Sequence, residues 1–168
     1  QQFSEYVYIV KEGRVRLSIY SKDGNEKCLS IAERGSMFGE ISVLDDLTNF
    51  ETATTITKCK IYLIPKDVFK RFLAEDPEIS QIVMKSLVRK TRILYSQIED
   101  LTFKDAYSRV ASYLVKLCYV HGKGSNKRYK IDIKFTHQEM ADLTSLSRVT
   151  VSNIMSNLIS KNLIYKKN

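Results

Sequence analysis

From residue 6 to about residue 64, apolar and polar positions alternate in short runs. Val15, Leu17 and Ile19 are separated by Arg16 and Ser18, so this segment is expected to bury one face and wet the other. Asp23-Gly24-Asn25 is a turn signal, and Leu29 and Ile31 resume the alternation after it. Gly35 and Gly39 punctuate the chain ahead of Glu40-Ile41-Ser42-Val43-Leu44. A Thr-rich run over 52–57 then leads into Lys60-Ile61-Tyr62-Leu63-Ile64, a composition that favours strands. Several short strands with regular turns predict a small antiparallel barrel or jelly roll.

The period changes after Pro65, which suits the first turn of a helix running to about Ala74. Asp76-Pro77 repeats the start signal, and a helix without Gly or Pro is expected from about Glu78 to Leu101. Met84, Val88, Thr91, Tyr95 and Ile98 fall at alternating spacings of four and three, a coiled-coil-like seam. Ile82, Leu87, Ile93, Leu94 and Leu101 add further apolar surface. Such a helix is expected to pack on its own barrel and on a partner helix in a parallel homodimer. Beyond it, Asp105 can cap a helix carrying Val110, Leu114, Leu117 and Cys118 that stops at Gly122, with His121 closing it. A basic loop over 122–128 is expected next. Tyr129, Ile131, Ile133 and Phe135 then alternate as a strand.

Thr136 and Glu139 have the spacing of a capping box, so another helix should begin there. Met140, Leu143 and Leu146 mark its inner side, and Ala141 is small enough for a second helix to cross closely. Ser147 can cap that second helix, on which Val151, Ile154, Met155 and Leu158 keep helical spacing. Its opposite face carries Arg148, Val149, Ser152, Asn153 and Ser156. Short polar groups with one Arg are what a major-groove reading helix needs, though an ordinary helical hairpin would also present a polar outer face.

Charge separates these alternatives better than periodicity does. Of the net +8, residues 1–104 hold only +1, whereas residues 105–168 carry 11 basic and four acidic side chains, or +7. Basic charge confined to the part containing the helix pair is the footprint of a phosphate-binding surface. The 168 residues leave room for two small domains. No apolar stretch approaches the roughly 20 residues needed to span a bilayer, so no membrane partner is expected. Cys28, Cys59 and Cys118 are scattered, a pattern of reduced thiols rather than a disulfide framework, and the cytoplasm is the expected compartment.

Four segments together resemble the bacterial Crp/Fnr family of transcription regulators. They are Tyr8-Ile9-Val10-Lys11-Glu12-Gly13, Gly35-Ser36-Met37-Phe38-Gly39-Glu40, the stretch from Leu101 through Thr102-Phe103-Lys104-Asp105 to Val110, and residues 136–163. The resemblance covers essentially the whole chain and implies an α+β fold. It implies an effector-sensing β-roll over 1–76 whose first strands are missing, a dimerisation helix over 77–104, and a winged helix-turn-helix over 105–168 whose wing is truncated. It also implies an effector pocket at Gly39, Glu40, Ile41, Ser42, Glu51, Thr52 and Tyr95, with Met84, Val88, Thr91, Tyr95 and Ile98 at the dimer interface. The partners it implies are double-stranded DNA, RNA polymerase, a second copy of the chain and a small-molecule effector. A roll that serves only as a dimerisation scaffold for a constitutive DNA binder fits the same residues.

The chain departs from the cyclic-AMP-binding members where they clamp the cyclic phosphate with Arg. That position falls here at Phe50 or Glu51, and no Arg occurs between Arg34 and Arg71. A carboxylate there repels phosphate, and the bidentate pair is lost. Leu94-Tyr95 stands where those members resemble Thr-Ser, so little or no cyclic nucleotide binding is expected. Iron–sulfur and haem cofactors are not expected either, since there are three scattered Cys and both His121 and His137 lie beyond the dimer helix. No catalytic constellation or metal-ligand spacing is visible, and Glu40 is expected to bond the backbone of its own turn.

By the same resemblance, base reading falls to Arg148, Val149, Ser152 and Asn153, and phosphate contacts to His137, Gln138, Ser147 and Thr150. Arg suits guanine, Asn suits adenine, and Val suits a thymine methyl. Val149 and Asn153 stand where the cyclic-AMP receptor pattern has Glu and Arg, which predicts a palindrome leaning to A·T. Lys127, Arg128, Lys130, Lys161 and Lys166 are further candidate phosphate contacts. Ser145 occupies a turn position commonly held by Gly.

Overall fold

The computed structural model describes residues 3–125, 128–131, 133 and 135–165. The chain divides into two compact units, Gln1–Leu94 and Tyr95–Asn168.

In the first unit the alternating segments pair as six strands: β1 (Tyr6–Glu12), β2 (Val15–Tyr20), β3 (Glu26–Ala32), β4 (Met37–Phe38), β5 (Thr52–Thr55) and β6 (Lys60–Pro65). They form two three-stranded antiparallel sheets, ordered β4-β1-β6 and β3-β2-β5. Val10, Val15, Leu17, Ala32 and Phe38 fill one core, with Tyr8 stacked on Phe38 at 5.0 Å between ring centroids.

The alternation predicted on β2 and β3 holds only as far as Leu17. There the register slips: Leu17 lies opposite Ser30 and Ser18 opposite Cys28, leaving Leu29 as the extra residue of a bulge. A bulge twists the strand and turns the next side chains to the other face. Beside the bulge Ser18 is 1% exposed and Ile19 37% exposed, the reverse of the simple pattern, and Cys28 and Ala32 are buried where Leu29 and Ile31 were expected. The buried Ser18 hydroxyl donates to Glu26 Oε1 at 2.6 Å, so its burial leaves no unmet hydrogen bond.

Three helices complete this unit: α1 (Glu40–Leu44), α2 (Lys66–Glu75) and the 27-residue α3 (Pro77–Phe103), which continues into the second unit. Ile79, Val83 and Leu87 recur every four residues along α3 and pack with Val7, Val43 and Phe69 in a second core. Met84, Val88, Thr91, Tyr95 and Ile98, the seam residues, all lie exposed on α3.

The second unit contains α4 (Ala106–His121), β7 (Gly122–Ser125), β8 (Arg128–Ile131), α5 (His137–Thr144) and α6 (Arg148–Ser160). Val110 from α4, Met140 and Ala141 from α5, and Val151 and Leu158 from α6 form its core. Most of the predicted loop after Gly122 is instead strand: β7 and β8 pair as a hairpin, with Lys123 opposite Lys130. Of the strand predicted over 129–135, β8 covers the part as far as Ile131, and Phe135 packs against Tyr113 at 5.5 Å. Lys127 and Lys166 lie outside the described residues, as does the side chain of Arg128. Among the described residues no helix is long and apolar enough to cross a membrane.

Candidate nucleic-acid interface and roll site

The helix pair is fixed by local hydrogen bonds at its ends. Thr136 Oγ1 accepts from the Glu139 backbone N–H at 3.1 Å, and Glu139 Oε2 accepts from the Thr136 N–H at 2.7 Å, completing the capping box. Ser147 Oγ accepts from the Thr150 N–H at 3.0 Å and shares a 2.8 Å bond with Thr150 Oγ1. From α4, Arg109 Nη1 donates to the Thr144 carbonyl at 3.0 Å, tying the last turn of α5 to its neighbour.

Between the helices Ser145 adopts φ 55° and ψ 48°, the left-handed region. Its Cβ costs roughly 1–2 kcal/mol there, against roughly 0.5–1 kcal/mol of extra chain entropy lost by Gly on folding. Ser145→Gly is therefore expected to stabilise the second unit by about 0.5–1 kcal/mol, read as a higher midpoint in urea with unchanged duplex affinity.

Arg148, Val149 and Asn153 are exposed on α6 and Ser152 is half-buried. Positions i, i+1, i+4 and i+5 share one side of a helix, so the four lie side by side. Arg148 makes no ion pair with any described residue, leaving its guanidinium fork open. His137 and Gln138 are exposed in the first turn of α5, where Gln138 Nε2 donates to Asp142 Oδ1 at 2.7 Å. Lys161 is exposed at the end of α6 and lies over the Tyr107 ring, 5.5 Å from its centroid.

The junction of α3 and α4 holds a charge cluster that the sequence reading did not identify. Asp100, 14% exposed, receives Lys104 Nζ at 2.7 Å and Lys116 Nζ at 2.5 Å, and Lys104 also donates to Ser112 Oγ at 2.9 Å. Burial works to raise the Asp100 carboxyl, but hydrogen bonds and charge from Lys104 and Lys116 outweigh it and hold the group below the ordinary carboxylate range. Asp105 caps α4 by accepting from the Ser108 N–H at 2.7 Å.

In the roll, Gly39 has φ 80°, and a Cβ there would stand 3.0 Å from the Tyr8 ring, so only glycine fits the turn into α1. This turn delivers Glu40 to a position 0% exposed. Glu40 does not bond its own turn as expected. Its Oε1 receives Lys90 Nζ of α3 at 2.5 Å, and its buried Oε2 has no hydrogen-bond partner among the described residues. Glu51 accepts a hydrogen bond from the Gly39 backbone N–H. Burial pushes the Glu51 carboxyl up, opposed by Lys90 and reinforced by the Glu40 charge. Ser42 is buried, Ile41 half-buried, Thr52 exposed, and Tyr95 exposed in the second unit. Of the seven expected pocket residues, the structure thus joins Gly39, Glu40 and Glu51, and it adds Lys90. A buried Glu with no Arg between Arg34 and Arg71 needed a cation from another element, and that was the one signal for Lys90 in the sequence.

Residues 1–76 match the family described as cyclic nucleotide-binding domain, and residues 108–168 match the Crp-like helix-turn-helix domain. The CRP-like cAMP-activated global transcriptional regulator of Mycobacterium tuberculosis is 31% identical over 150 residues, covering 89% of this chain and 67% of that protein. The global nitrogen regulator of Synechococcus elongatus is 31% identical over 165 residues, covering 96% of this chain and 73% of that protein. The chain belongs to the Crp/Fnr family. A CooA variant from Carboxydothermus hydrogenoformans, 25% identical, has a TM-score of 0.86 and is covered over 73% of its length by all of this chain. As a Crp/Fnr protein the chain is a transcription regulator, with an effector-type β-roll ahead of a DNA-binding helix-turn-helix.

Proposed function

We propose that this regulator works in the cytoplasm as a homodimer that reads a palindromic, A·T-leaning duplex and responds to a small organic effector. The open face of Arg148, Val149, Ser152 and Asn153 on α6 carries this reading, set in a segment of net +7. The division of labour follows the chain: roll over 1–76, dimer helix over 77–104, DNA-binding module over 105–168. The exposed apolar stripe of Met84, Val88, Thr91, Tyr95 and Ile98 would seat a second copy, placing two α6 helices about 34 Å apart on successive turns of one DNA face. His137, Gln138, Ser147 and Thr150 would hold the backbone, and RNA polymerase is the further partner. Effector binding at Gly39, Glu40, Ile41, Ser42, Glu51, Thr52 and Tyr95 would shift the population between reading and non-reading dimers. Cyclic AMP is not the effector in this reading, because Phe50 or Glu51 stands where a phosphate needs an Arg, and no Arg occurs between Arg34 and Arg71.

Unbiased selection of duplexes tests the core of this proposal. The expected product is a symmetric site richer in A·T than TGTGA half-sites. Arg148→Ala is expected to cost about 1–3 kcal/mol of binding and to relax preference at one base pair per half-site, with melting unchanged. Anisotropy titrations across a salt series should show affinity falling steeply with salt. A monomer indifferent to every duplex at low salt would overturn the proposal.

A further inference from the structure

The corner formed by Gly39, Glu40, Glu51 and Lys90 contains two carboxylates and one ammonium. Glu40 is wholly buried; one of its oxygens is bonded to Lys90 and the other has no partner among the described residues. A buried acceptor without a donor is costly, and a donor from outside the protein would satisfy it. The adjacent Glu51 adds a second acceptor group, held by the Gly39 N–H, and the Glu40 and Lys90 charges both act on it. An anion entering here meets the Glu40 and Glu51 carboxyl groups, and the Lys90 ammonium beside them is already engaged by Glu40.

We propose that this corner binds a small organic cation, an amine or guanidine, whose N–H groups donate to Glu40 Oε2 and to the Glu51 carboxylate. This inference rests on the reading of the roll as an effector site and names the chemical class of that effector. Charge-assisted N–H···O bonds to the buried Glu40 and the half-buried Glu51 would give such a ligand both its affinity and its orientation. The wholly buried acceptor is what separates this corner from an ordinary acidic surface, since solvent does not compete for it.

Amide NMR on the whole chain, following the Gly39 N–H, tests the assignment. The probes are butylamine and butylguanidine, compared with butyrate and inorganic phosphate at one ionic strength. Both cations are expected to move the Gly39 signal saturably and the anions to leave it still. Because Glu40 also holds Lys90, the half-buried Glu51 carries the mutational test: Glu51→Gln is expected to weaken the cations at least tenfold, and Glu51→Arg to abolish them. Anions that bind as well as the cations, cations that leave Gly39 unmoved, or cation binding indifferent to Glu51→Gln would each overturn the proposal. Duplex affinity measured with the same samples keeps the two readings apart. An anionic or neutral compound that changes it would sink the cation assignment and leave the effector reading standing. A cation that saturates Gly39 without changing it would do the reverse.

Discussion

Lys90→Met is expected to destabilise the first unit by about 3–5 kcal/mol, measured by urea unfolding. The cause is the position of Glu40, 0% exposed, whose Oε1 has Lys90 as its counter-charge at 2.5 Å. Removing the ammonium leaves a carboxylate in a site closed to solvent, and that penalty dominates the loss of the pair itself. The double variant Lys90→Met with Glu40→Gln is therefore expected to recover most of the loss, because it removes the stranded charge. The Lys60–Glu12 pair, 2.9 Å apart but open to water on both sides, is the control: Lys60→Met is expected to cost under about 1 kcal/mol. Equal losses at Lys90 and Lys60 would show that the Glu40 site is wetter than its geometry indicates.

Met140→Ala is expected to have the second large effect, about 2–5 kcal/mol, confined to the second unit. Met140 is fully buried among Val110, Ala141, Val151 and Leu158, where α4, α5 and α6 meet. Truncating it leaves a cavity that three helices of short side chains cannot close without moving. Duplex binding should then fail at temperatures where the roll, followed by the Tyr8 and Phe38 signals, remains folded. Arg148→Ala separates folding from reading, since it removes an exposed side chain and should lower affinity without changing the melting of either unit.

The parts of this fold that local rules decide were legible in the sequence. Thr136 and Glu139 announced their capping box by spacing alone, and Ser147, Pro65 and Asp105 marked helix starts that the structure has in place. The apolar pattern of α6 separated Val151 and Leu158 from the outer face correctly. What the sequence hid depends on partners distant along the chain. The bulge at Leu29 is set by how β3 meets β2, so the alternation of either strand read alone misassigns Ile19 and Ser18. The β7–β8 hairpin carries no strong strand residues in Gly122–Ser125 and exists because β8 pairs with it. Lys90 sits 50 residues from Glu40, and only the third dimension makes them neighbours.

The two lysines converging on Asp100 give the elbow between α3 and α4 a chemistry of its own. Moving α4 away from the end of α3 would part Lys116 from the carboxylate that Lys104 also grips, so charge helps hold this junction. Dissolved ions screen such contacts. Added electrolyte is thus expected to act at two points, weakening the ion pairs at Asp100 as well as the attraction to a phosphate backbone.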